Sequence, residues 1–149
     1  MWKTSRVVAA CTLAASLCLG GIGPAVGAAS DPADADAFAQ RANEWSQQLH
    51  GIYEVRARYT WPQATRLART MATADSQFVD WMDANPAIEC YQPVQAKMRT
   101  RVVKHAAIVR GFARLVMDQR FDEATEAWRI GTQQYLNTYK WMNHLLVVC

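Results

Sequence analysis

The chain has 149 residues, a formal charge of +3, six Trp, five Tyr and four Phe, but only seven Gly and five Pro. That is one domain's worth of sequence, rich enough in large apolar side chains to fold and too poor in turn residues for a disordered segment or a loop-dense β fold. The charge is less basic than it looks. Lys3 and Arg6 belong to an N-terminal leader, and without them 14 basic side chains face 13 acidic ones, a balance that gives no reason to expect nucleic acid as a partner.

Residues 1–29 have the order of a cleavable export signal. A short positive n-region is followed by an uncharged apolar run from Val7 to Ile22, then by Gly20, Gly21, Gly23 and Pro24, and then by a small-residue tract in which cleavage after Ala28 or Ala29 is acceptable. About 16 apolar residues fall short of the ~20 needed to span a bilayer, so a cleaved signal is expected rather than an anchor. Residues 30–149 are then a single exported domain, secreted or periplasmic, with no later segment apolar enough to cross a membrane.

Four stretches of the mature chain carry helical periodicity. The first, from about Ser30, places Phe38, Ala42, Trp45, Leu49, Ile52 and Tyr59 on one stripe. The second is capped by Thr60, carries Leu67, Met71, Ala74, Phe78 and Met82, and ends at Asn85-Pro86. The third begins near Pro93 with Val94, Met98, Val102, His105, Val109, Phe112 and Val116, and the fourth is capped by Asp122 with Ala124, Trp128, Gly131, Tyr135, Tyr139, Met142 and Leu146. Short connections between such helices predict an all-α, antiparallel up-down-up-down four-helix bundle. Gly131 is expected to let the third helix approach closely. Trp61, Trp81 and Trp141 map off the tightest stripe positions and predict a partly exposed aromatic patch.

Cys11 and Cys18 leave with the signal, so the mature domain keeps Cys90 and Cys149. Export permits a disulfide, and the bundle places the second connection and the chain's end together, so a Cys90–Cys149 bridge is expected. Closing that loop would stabilise the domain by roughly 4 kcal/mol.

Antiparallel registry sets His105 level with Tyr135 and Met71. All three residue types can ligate haem iron, so a noncovalently held haem in this layer is one reading. The simpler one is a core histidine hydrogen-bonded to the Tyr135 hydroxyl. His50 and His144 lie off the apolar stripes, and no zinc-type spacing or nucleophile motif is present. Asp75, Asp80 and Asp83 cluster on the second helix, Asp80 and Asp83 on its outer face as solvated surface, and all three are available to basic residues on neighbouring helices.

The third helix is strongly basic. Between Val94 and Arg120 there are seven cations and one acid, with Arg99, Arg110 and Arg114 on one flank and Lys97, Arg101 and Lys104 on another. Such a surface fits an anionic partner: an envelope polymer, a phospholipid headgroup or an acidic protein. The expected function is therefore a noncatalytic exported binding or interaction protein, its partner a protein, an envelope polymer or a small ligand. A small-ligand or haem carrier is the first alternative. The second is an exported helical enzyme acting on an anionic substrate, for which Arg56, at a stripe position, would be the residue of interest.

Overall fold

In the computed structural model the described residues are 35–54 and 59–143. They form four α-helices: α1 (Ala35–Glu54), α2 (Trp61–Ala84), α3 (Gln92–Met117) and α4 (Phe121–Asn143), with a 3-10 turn at Glu89–Tyr91 before α3. The fold among these residues is all-α and bundle-like. Residues 1–29, where an export signal is expected, and Arg56 and Cys149 lie outside the described residues.

Local chemistry sets the helix ends. Thr60 stands at the start of α2, where its backbone N–H donates to Gln63 Oε1 at 2.9 Å and its carbonyl accepts from the Ala64 N–H, with Pro62 in the first turn. Asn85 and Pro86 end α2 as expected, and the chain's return to α3 is held by one buried glutamine. Gln95 Oε1 accepts from the Ala87 N–H at 2.9 Å, while its Nε2 donates to the Asn85 carbonyl at 2.7 Å. α3 stops where Gln119 enters the left-handed region, φ 57°, and the Arg120 N–H donates back to the Leu115 carbonyl at 2.9 Å.

The stripe predicted for the first helix runs one residue too far. α1 ends at Glu54, and Tyr59 reaches the core from outside it, donating its hydroxyl to the Ile52 carbonyl at 3.3 Å. The remaining stripe residues of α1 are largely buried: Phe38, Ala42, Trp45 and Leu49 fully so, with Ile52 half-buried.

α3 packs closely on both α2 and α4, whereas α1 stands further off and meets α2 more than α4. Side-chain size accounts for the difference. The buried residues of α2, α3 and α4 include the small Ala64, Ala68, Ala106, Ala113, Ala124 and Gly131, which let backbones approach, whereas of the buried residues of α1 only Ala42 and Ser46 are small beside Phe38, Trp45 and Leu49. A Cβ on Gly131 would lie 3.2 Å from the Tyr53 hydroxyl and 3.4 Å from Ile108, so that glycine admits α3, as expected, and also a tyrosine from α1.

Candidate functional site

The most unusual chemistry lies in the interior. Asp75 and His105 are 0% and 1% exposed, burial that an aspartate tolerates only when its oxygens are bonded. Asp75 Oδ1 accepts the Trp45 indole N–H at 2.9 Å, and Oδ2 accepts from His105 Nδ1 at 2.7 Å. The other ring nitrogen, Nε2, meets the Tyr53 hydroxyl at 2.8 Å. Three helices thus contribute to one chain of bonds: Trp45 and Tyr53 from α1, Asp75 from α2, His105 from α3.

Burial holds the Tyr53 hydroxyl well above the usual phenol range, and the nearby Asp75 carboxylate and Tyr135 push the same way. Tyr53 therefore keeps its proton. Its ring stacks on Tyr135, centroids 5.1 Å apart, and the Tyr135 hydroxyl donates to the Ser46 carbonyl at 3.2 Å with His50 Nδ1 at 3.3 Å. Among the described residues no buried side-chain nitrogen or oxygen lacks a partner.

Two sequence expectations change here. His105, Tyr135 and Met71 are all buried, but His105 is not bonded to Tyr135; its partners are Tyr53 and Asp75. The reason is that Tyr53, four residues after Leu49 on the buried face of α1, comes between them, its ring centre 5.9 Å from that of His105 and 5.1 Å from that of Tyr135. Asp75 is no partner for the surface cations, since it faces the core one turn after Met71 on the same side of α2. Both His105 nitrogens are thereby engaged, and the cavity that Asp75 lines, about 130 Å³, is bounded by Ser76, Val79, Asp80, Val103, Ala106 and Arg110, not by His105, Tyr135 or Met71.

The six cations of the basic helix divide by their surroundings. Arg99 is neutralised by Asp83 through two bonds of 2.7 and 2.9 Å, and that contact lowers the Asp83 carboxyl below its usual range. Lys97 and Arg101 flank the Trp141 ring at 5.3 and 4.9 Å from its centre, a cation–π clasp that joins α3 to α4. Arg110 donates to Ser76 Oγ at 2.7 Å, and Lys104 and Arg114 are exposed. Apart from Arg99, none of them meets a carboxylate among the described residues.

An aromatic cleft lies where α2, α3 and α4 meet at the Trp61 end, with Tyr59 beside it. Trp61 stacks on Phe121 at 5.0 Å and Phe112 packs on Trp128 at 5.0 Å. Phe121 is 39% exposed and Trp61 37%, so part of the expected surface patch is here. Trp81 and Trp141 are half-buried.

Cys90 is exposed in the 3-10 turn, and its sulfur is not free. Among the described residues no group of three His, Cys, Asp or Glu is placed to hold a metal ion, and no helix is long and apolar enough to cross a membrane. No protein-family model, no curated protein and no solved structure matches this chain.

Proposed function

We propose that the protein is an exported, noncatalytic binding protein that engages an anionic partner through the outer surface of α3. The observation that carries this reading is the state of the α3 cations. Helix Gln92–Met117 contains six basic residues and no acidic one, and among the described residues only Arg99 is matched by a carboxylate. An exterior left with uncompensated positive charge attracts and orients a negative partner, at an ionic strength that screens weaker contacts over ~8 Å.

The finer architecture belongs to the same proposal. Phe38 near the start of α1 packs on Tyr91, and Trp141 near the end of α4 sits beside Lys97. The α2–α3 turn, the start of α1 and the end of α4 therefore share one end, as in an up-down-up-down bundle with Cys90 and Cys149 bridged. Residues 1–29 would be removed on export.

The test is retention of the exported chain on an immobilised polyanion. Binding should fall steeply with added salt, and Lys97→Gln/Arg101→Gln/Lys104→Gln/Arg110→Gln should elute at markedly lower salt. Retention that salt does not change, or that this variant shares with the parent, would remove the proposal. A haem-carrier alternative would need the Tyr53–His105 or Asp75–His105 bond to open, and a haem titration with no spectral change would dismiss it.

A further inference from the structure

One flank of α3 forms more than a charged surface. Between α2 and α3 runs a groove of about 210 Å³. Its floor is Ala68, Val109 and Ala113, which are 1%, 2% and 8% exposed, with the half-buried Ala72 beside them. Three guanidinium groups rim it: Arg69 from α2, and Arg110 and Arg114 from α3.

These arginines stand on both walls of an apolar trough. None of them meets a carboxylate among the described residues, and no acidic residue lines the groove. Arg99, further along the same flank, is the contrast, because there Asp83 already supplies the anion. A groove whose walls are cationic and whose floor is alanine and valine, with the 60% exposed Met117 also lining it, matches a molecule with the same division: one anionic head and one apolar tail.

We infer that this α2–α3 groove binds a single-chain amphiphilic anion, a free fatty-acid type carboxylate, with the head held by Arg69 and Arg114 and the tail along Ala68, Ala72 and Ala113. This rests on the reading of α3 as an anion-binding helix and names the ligand class for one flank of it. Size favours a slender, single-chain ligand: pockets for drug-sized molecules measure roughly 300–1,000 Å³, more than this groove provides. Arginine suits the head because its planar fork bonds both oxygens of a carboxylate. The small floor residues let the tail approach the helix backbones, which bulkier side chains would prevent.

Isothermal titration of the exported chain with dodecanoate, kept below its micelle concentration, tests the assignment. Dodecyl maltoside supplies the tail without the charge, and acetate the head without the tail. Dodecanoate should bind one per chain, each half-probe at least tenfold more weakly. Arg69→Gln/Arg114→Gln, which removes both contacts to the head, should weaken binding at least tenfold, or about 1.4 kcal/mol, and Ala72→Leu should weaken it by filling the trough. Arg41→Gln/Arg129→Gln, on α1 and α4 and each paired with a glutamate of its own helix, should leave it unchanged. A diazirine-bearing dodecanoate should label Met117 or its groove neighbours in the unmodified chain, which keeps the test independent of any variant's folding. Labelling elsewhere, equal binding of dodecyl maltoside, or undiminished binding by both groove variants would overturn the inference. Polyanion retention lost with salt would still uphold the anion-binding reading in that event.

Discussion

The same helix, α3, carries polar groups into two very different settings. His105 points into the core, where both its nitrogens and both oxygens of its partner Asp75 are bonded. Arg110 and Arg114, about one and a half and two and a half turns further on, point outward and meet no carboxylate among the described residues. Water explains the contrast: a buried polar group without a partner costs what its lost hydration was worth, while an exposed cation is solvated whether or not it is paired. The interior chain is therefore a commitment to one arrangement of α1, α2 and α3, and the exterior cations are free to be chosen for what they meet.

The largest test of that contrast removes the carboxylate. Asp75→Ala strands the Trp45 indole N–H and the His105 ring in a dry interior, and breaking such a buried pair from one side costs about 3–5 kcal/mol. Urea unfolding of the variant should show a loss of that size. A loss under about 1 kcal/mol would mean that water enters the layer and that the interior and exterior polar groups differ less than their burial implies.

Tyr53→Phe is the next step down. It leaves the indole and the carboxylate paired but takes the hydroxyl from His105 Nε2, for an expected cost of about 1–3 kcal/mol. It also has a signature in pH. The native chain holds the Tyr53 proton above the ordinary phenol value, while the unfolded chain releases it near pH 10. The unfolded state thus binds fewer protons above that pH, so stability is intact below about pH 10 and falls as pH rises beyond it. The phenylalanine variant should show a shallower alkaline decline in its unfolding midpoint; an unchanged slope would place the Tyr53 hydroxyl in contact with solvent.

The turn after α3 offers a smaller effect at the boundary between the two settings. Gln119 holds a left-handed backbone, φ 57°, which costs a residue with a Cβ about 1–2 kcal/mol. Glycine relieves that strain but loses some of the gain to its freer unfolded chain. Gln119→Gly should stabilise the domain by up to about 1 kcal/mol, measured as a raised unfolding midpoint with no change in the urea slope.

How much of this was legible in the sequence follows the same division. The helices were visible because apolar residues recur with a period near 3.6 and because Thr60, Asn85-Pro86 and Pro93 punctuate them. Burial of Phe38, Trp45, Met71, Met98, Val102, His105 and Tyr135 follows from that periodicity alone. The partner of His105 did not, since registry assigns neighbours on flanking helices by level but says nothing about a long side chain arriving from a third. Asp75 was passed over because a carboxylate is ordinarily on the surface, although its position four residues after Met71 places it on the buried face. Arg69 was missed as a partner of Arg110 and Arg114 for a related reason: the pattern of one helix cannot show which cations a neighbouring helix adds to the same groove.

The smallest effect on stability is expected where the inferred ligand site lies, and it completes the comparison. Arg69→Gln/Arg114→Gln removes two exposed charges that meet no carboxylate among the described residues, so unfolding should change by no more than about 0.5 kcal/mol. In medium containing dodecanoate the parent should gain an unfolding midpoint shift that grows with ligand concentration, because only the native state presents the groove. The double variant should gain much less of it. Destabilisation of the ligand-free variant by more than about 1 kcal/mol would show that these arginines hold α2 to α3 and belong with the interior chain, whereas an unmoved baseline with a lost ligand shift would separate the two polar regions by role as well as by place.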